Sequence, residues 1–268
     1  YRLMKILYVG DVMAAPGRRV LAQVLPNIKE ELTPDFVIVQ AENSDDAGKG
    51  PGVTELEEMT QAGADFFTGG NHSLKGDGSK QVYADDHLPI VRPANLLGAG
   101  GHGYRIVDTD KGKVLVVSML GQTVGSRQIE IENPLHTIDK ILEDTKDANL
   151  VARVVNFHGD FSSEKRVFGY YLDGKVSVVI GDHWHVPTAD AMVLPGGTAH
   201  ITDVGMCGAL HSSLGVKTSV IVDRWRDNKS SKNEIESDGP FQFNALLVTV
   251  DEITALATEV QHIQRIIE

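Results

Sequence analysis

The sequence predicts a single layered α/β domain covering residues 1–268. In the first part of the chain, short apolar runs alternate with segments of helical spacing. Paired strand-like runs take over afterwards, the order expected when helices cover sheets in layers. No internal repeat and no linker-like stretch divides the chain.

Taken in order, "LMKILYVG" (3–10) reads as a buried strand running into Asp11. "PGRRVLAQVLPNIKEEL" follows, with Val20, Leu21, Val24, Leu25, Ile28 and Leu32 on a 3.6-residue period. Pro26 lies inside that pattern, so a kink or break is expected there. "DFVIVQ" (35–40) is a second apolar strand and leads into Glu42-Asn43. "DDAGKGPG" (45–52) is a glycine-rich loop, residues 53–62 have helical spacing, and "DFFTGG" (65–70) is a short strand before Asn71-His72. "LPIVRPAN", then "GYRIVDT" and "KVLVVSML" about a turn at Asp110-Lys111-Gly112, read as strands. "PLHTIDKILEDTK" (134–146) is helical, and "LVARVVNF" (150–157) is a strand ending at His158. Residues 162–172 suit a helix opened by a serine cap with Glu164 or Lys165 behind it. "KVSVVI" (175–180) is a strand before "GDHWH", and "AMVLPGGTAHITDV" reads as a hairpin about Pro195-Gly196-Gly197. The polar stretch 224–239 is expected to be a mobile surface loop, and 241–250 and 259–267 are late strands.

Composition narrows the function classes. The chain is 41% hydrophobic and 23% charged, ordinary for a soluble protein. No apolar run approaches the roughly 20 residues of a membrane helix, and the start lacks the sections of a signal peptide. Tyr1-Arg2-Leu3 precede Met4, which is expected to be the natural start. Cys207 is the sole cysteine, so no intrachain disulfide forms, which fits a reducing cytoplasm. A net charge of −12 argues against a broad surface tracking long nucleic acid. A small phosphate substrate stays compatible, because a bound divalent ion can reverse the local sign.

Five predicted strands end in groups able to bind metal: Asp11, Glu42-Asn43, Asn71-His72, His158 and His183/His185. In open α/β sheets, sites lie beyond the carboxyl ends of the strands. On an extended segment His183 and His185 would point to one side. Imidazoles mixed with carboxylates and amides suit Mn, Fe or Zn better than Ca. Each residue alone has an ordinary reading: an aspartate after a strand caps a helix, Asn71-His72 forms a turn, and His158 is a packed histidine. Their joint occurrence in this order is what points to a site. His87, His102, His136, His200, His211 and His262 read as packed or surface residues, and Arg92 as a loop anchor in preference to a phosphate ligand.

The order "GDV" (10–12), "AEN" (41–43), "GNH" (70–72), "FHGD" (157–160) and "GDHWH" (181–185) resembles the calcineurin-like metallophosphoesterases. It is most similar to their YmdB-type branch, bacterial enzymes resembling cyclic-nucleotide phosphodiesterases. "VRPAN", "SSEK", "HWHVPTAD" and "GTAHITDVGM" extend the likeness along nearly the whole chain. The resemblance implies an αββα sandwich, two transition-metal ions (Fe or Mn, with Zn possible) and self-association. It implies Glu42 as bridge, Asp11, His185 and Asn43 at the first ion, and Asn71, His158 and His183 at the second. It assigns His72 as general acid, with Asn43 and His72 meeting the substrate. A shared hydroxide would attack a small phosphodiester such as a 2',3'- or 3',5'-cyclic nucleotide. Asp160, Asp182 and Asp190 are candidates to fix imidazole tautomers and are not ranked. Met13 stands where the wider superfamily has the histidine of DxH, Ser73 follows His72, and Gly159-Asp160 follow His158. These departures put substrate preference in question more than metal binding. They leave two alternatives: a nucleotide-binding regulator with little turnover, and a phosphomonoesterase or nuclease on the same fold.

Overall fold

The computed structural model describes residues 2–125 and 129–268; Tyr1, which precedes the expected start at Met4, lies outside the described residues. The first half comprises β1 (Leu3–Val9), β2 (Asp11–Val12), α1 (Ala14–Leu32), β3 (Phe36–Gln40), α2 (Val53–Gln61), β4 (Phe66–Thr68), α3 (Ser79–Ala84) and β5 (Ile90–Val91). Then come β6 (Tyr104–Thr109), β7 (Gly112–Leu120), α4 (Pro134–Asp144), β8 (Leu150–His158), α5 (Ser162–Tyr171) and β9 (Val178–Asp182). The chain closes with β10 (Met192–Val193), β11 (Ala199–Ile201), β12 (Met206–Ala209), α6 (Thr218–Asp227), β13 (Phe241–Asp251) and β14 (Leu256–Ile267).

Two sheets result. One runs β2-β12-β13-β1-β3-β4-β5, with β14 paired to β13; the other runs β10-β11-β9-β8-β7-β6. Within them β1, β3, β4 and β5 are mutually parallel, as are β7, β8, β9 and β11. Parallel neighbours put their carboxyl ends on one edge, and these edges carry the polar residues singled out above.

Three apolar layers separate four layers of structure. Alternate residues of each strand point to opposite faces, so Leu7 and Val9 pack on Leu21, Leu25 and Ile28 of α1. Ile6 and Tyr8 face the other way, onto Val116, Val154 and Ile180 of the second sheet. On that sheet's outer face, Val117, Val155 and Val179 meet Ile138 of α4 and Phe168 of α5. The order of layers is therefore αββα, as the family resemblance implies.

Several local expectations are corrected. Helix α1 continues through Pro26 without a break. Pro26 is exposed, so the hydrogen bond it forfeits is lost on the solvent face, while buried Leu25 and Ile28 hold both halves to the sheet. No serine caps α5: its N-cap is Phe161, without a side-chain bond, and Glu164 instead accepts from the Gln122 N–H. Strand β12 was not foreseen; it buries Cys207 between β2 and β13. Residues 224–227 complete α6, and the segment beyond is tied down. Ile235 packs on the Met13–Met206–Val216 cluster, and Glu236 donates its N–H to Gly215.

Candidate metal centre

Strand ends from both sheets bring the seven predicted donors together. From the first sheet come Asp11 on β2, Glu42 and Asn43 just past β3, and Asn71 past β4. His158 is the last residue of β8, and His183 and His185 follow β9 in the second sheet. His158 Nε2 lies 3.2 Å from Glu42 Oε1 and 2.8 Å from Asn71 Oδ1. The rings of His158 and His183 are 4.5 Å apart, and Glu42, His158 and His183 form a group spaced to hold a metal ion. On the other side, His185 Nε2 lies 3.3 Å from Asp11 Oδ2. Asn43 stands between the halves. Its Nδ2 donates to both Asp11 oxygens (3.1 and 3.0 Å) and to Glu42 Oε1 (3.0 Å). Its Oδ1 accepts from His72 Nδ1 at 2.6 Å. Gly70 permits this closeness, since a Cβ there would run into the Glu42 carboxylate and the His158 ring.

The backbone route to the paired histidines differs from the expected one. Residues 183–186 form bends, with φ of 104° at His183 and 64° at His185. Both rings still reach the site, along a bent backbone in place of the extended segment expected. Such conformations are costly for residues with a Cβ and persist where surrounding structure imposes them. Trp184 between them supplies that restraint. Its N–H donates to Asp203 Oδ2 (2.8 Å) and its indole N–H to the Asp160 carbonyl (2.9 Å), while Lys165 Nζ sits 4.1 Å from the ring centroid.

Burial sets the electrostatics. It opposes ionisation of Glu42, but the facing His158, His72 and His183 outweigh it and hold Glu42 well below the usual carboxylate range. Asp11 is pushed up by burial, with His185 acting in the opposite sense. Burial disfavours charge on His158 too, yet Glu42 and Asp182 together raise it well above an ordinary histidine. His183 is lowered to about 4 by burial and by nearby His158, so its ring is neutral and has a lone pair to offer. Burial also lowers His72, against the pull of Glu42.

The three candidate orienting aspartates separate. Asp182 Oδ1 accepts from His158 Nδ1 at 2.7 Å, and its other oxygen accepts from Gln40 (2.7 Å), Asn156 (2.6 Å) and Tyr8 (3.1 Å). Asp160 Oδ1 lies 2.8 Å from His183 Nε2. Asp190 bonds Thr188, Thr202 and Arg166, and among the described residues it meets no site histidine. Arg92 donates to five carbonyls, of Pro93, Ala94, Ala99, Gly100 and Gly101, which makes it a loop anchor. His200 is buried with Nδ1 toward the Val179 carbonyl, away from the donors. Sequence reasoning missed Gln40, Asn156, Lys165 and Asp203. Their available signal was polar character at fully buried positions, Gln40 and Asn156 within apolar strands above all.

The donor chemistry fits bound metal. Two buried carboxylates face three imidazoles and two amides, and two of those imidazoles have a second nitrogen fixed, His158 by Asp182 and His185 by the Leu214 carbonyl. Cys207 contributes no thiolate, since burial pushes its thiol up to about 12.

The αββα sandwich, with these polar groups at the carboxyl edges of both sheets, has the layered fold of calcineurin-like metallophosphoesterase type. Haemophilus influenzae NAD nucleotidase shares this fold, at 13% identity and a TM-score of 0.62, over 99% of this chain and 56% of that one. The chain belongs to the YmdB-like protein family, whose model matches residues 7–263. It is 32% identical over 265 residues to the 2',3'-cyclic-nucleotide 2'-phosphodiesterase of Bacillus subtilis, covering 97% of this chain and 96% of that protein. A novel phosphatase from Mycoplasma pneumoniae, known from its crystal structure, matches with a TM-score of 0.91 at 29% identity, over 98% of this chain and 94% of that one.

Proposed function

We propose that this protein is a metal-dependent phosphodiesterase that hydrolyses small phosphodiesters, 2',3'- or 3',5'-cyclic nucleotides in particular. The observation that carries the reading is the buried Asp11–Asn43–Glu42–His158 chain of contacts, which joins both sheets, next to a cavity lined by Asn71, His72 and His183. The similarity to a cyclic-nucleotide phosphodiesterase over nearly the full length supports the substrate class.

In this reading Glu42 would be shared by two ions. Asp11 and His185, with Asn43 beside them, would hold one, and Asn71, His158 and His183 would hold the other. When bound, the ions supply Lewis acidity toward phosphoryl oxygens and an ionisable water. Fe or Mn suits the mixed nitrogen and oxygen donors, with Zn as a further candidate. Asn43 and His72 meet the substrate. Asn43 Oδ1 only accepts, so it fixes one His72 proton on Nδ1; protonation of Nε2 then gives the imidazolium, whose Nε2 proton passes to the leaving oxygen. We read residues 1–268 as one domain of a cytoplasmic, self-associating enzyme. Among the described residues, no helix is long and apolar enough to cross a membrane.

Metal analysis paired with a panel of phosphodiesters and phosphomonoesters on one sample tests the function. About two ions per chain and faster turnover of diesters are expected. Nucleotide binding without turnover would make the protein a sensor, and monoester preference would make it a phosphatase. Glu42→Gln is expected to lose metal and hydrolysis together; an active, metal-loaded variant would remove Glu42 from the bridging role.

A further inference from the structure

A cavity of about 1210 Å³ has Asn71, His72 and His183 in its lining. Small-ligand clefts span roughly 300–1,000 Å³, so the space is generous for a cyclic mononucleotide. Two loops, residues 46–49 and 231–235, supply much of its remaining wall, with Lys75, Val124, Gly125 and Ile129 completing it. On a chain of net charge −12, this lining carries Lys49, Lys75 and Lys232. Among its described residues the one carboxylate is Asp46, which Arg18 already holds at 2.9 Å.

The two loops are built, not slack. Asp45 Oδ1 accepts the N–H groups of Ala47 (2.9 Å) and Lys49 (2.6 Å), closing the first loop on itself. In the second, Arg224 donates to the Ser231 carbonyl (2.9 Å) and to Asn233 Oδ1 (2.9 Å), so both neighbours of Lys232 are pinned. Among the described residues, neither the Lys49 nor the Lys232 ammonium has a carboxylate partner. Cations held on fixed loops beside the site, without internal counter-charges, suit an anionic group of the ligand.

We infer that Lys49 and Lys232 form a second phosphate subsite, so that the preferred substrate is a cyclic phosphodiester whose nucleoside carries a further phosphate. The inference rests on the phosphodiesterase reading for the first subsite, and it narrows the substrate class. The second phosphate has two chemical sources, a 5'-phosphate on the same nucleotide or the internucleotide phosphate of a short oligonucleotide.

Three substrates of one base test this: the 2',3'-cyclic nucleotide with a free 5'-hydroxyl, the same with a 5'-phosphate, and a dinucleotide ending in the cyclic phosphate. With the metal-loaded enzyme, kcat/KM is expected to rise roughly tenfold for one or both phosphate-bearing substrates, mostly through KM. The gain should shrink as salt is raised. Which of the two gains identifies the source. In the Lys49→Ala/Lys232→Ala double variant the gain should vanish while the free-hydroxyl substrate turns over as before. Equal kcat/KM for all three substrates, or a gain that survives the double variant, overturns the subsite. Calorimetry gives a readout independent of turnover: adenosine 3',5'-bisphosphate should bind roughly tenfold tighter than adenosine 3'-monophosphate, and equal affinities overturn the proposal. Tight bisphosphate binding without hydrolysis of any diester would sink the phosphodiesterase reading and leave the subsite standing.

Discussion

His72 has its ring tethered at one nitrogen and its backbone N–H donated to Glu42 Oε2 at 2.9 Å. It is held by residues of the site and also lines the cavity. Removing the ring takes away no predicted metal donor. His72→Ala should therefore keep the ions and lose only help to the leaving group, typically on the order of 10²–10⁴-fold. The loss should be large for an alkoxide leaving group and small for nitrophenolate, which departs without a proton. Metal content and kcat on both leaving groups check this, and equal slowing of the two would count against an acid role. At this scale the predicted donors were legible because each ends a strand or follows one within three residues. Asp182 was not separable from Asp160 and Asp190, because the register that sets it against His158 joins β8 to β9 and is not written in either strand alone.

Between residue and domain, the contact of α5 with the 183–185 bend governs the site. Lys165 is fully buried on the helix face, and its Nζ donates to the Asp182 carbonyl (2.7 Å) and to Asp203 Oδ2 (2.8 Å). Asp203 in turn accepts from Trp184, between the two metal-site histidines. Burial pushes Asp203 up, although Lys165 pulls it down, so desolvation of this pair is costly and each partner depends on the other. Lys165→Met leaves the carboxylate alone in the interior and should cost about 3–5 kcal/mol. In an Asp203→Asn background the same substitution should cost clearly less, because no unpaired charge remains. Urea unfolding of the three variants measures this; equal costs in both backgrounds would show that the lysine acts by packing alone. A serine cap signal pointed to α5, though no serine caps it in the structure, and such a local signal carries no information about a buried ammonium. The same limit explains α1: Pro26 argued for a break, and the apolar stripe on either side of it overrode that preference.

Across the whole molecule, the site lies along the seam between the two sheets. Besides the apolar layer, polar bonds cross that seam near it: Tyr8 and Gln40 reach Asp182, and the Ser118 hydroxyl donates to the Gly69 carbonyl (2.7 Å). The alternation of strands and helices made the layers legible. Which strands of one sheet face which of the other was not, because that depends on long-range pairings such as β1 with β13. Ions bound to donors from both sheets would act as a staple across the seam. Unfolding scatters those donors over residues 11–185, and the unfolded chain retains little of the affinity. Metal should therefore stabilise the native state by about 2.7 kcal/mol when free ion exceeds its dissociation constant a hundredfold. Chelation should lower the thermal midpoint by several degrees, and re-addition of metal should restore it. Glu42→Gln, lacking the proposed bridge, should melt at nearly the same temperature with and without added metal. A wild-type midpoint indifferent to chelator, in a sample shown to have lost its ions, would mean that the two sheets hold together without the staple and that the donors are arranged for chemistry alone.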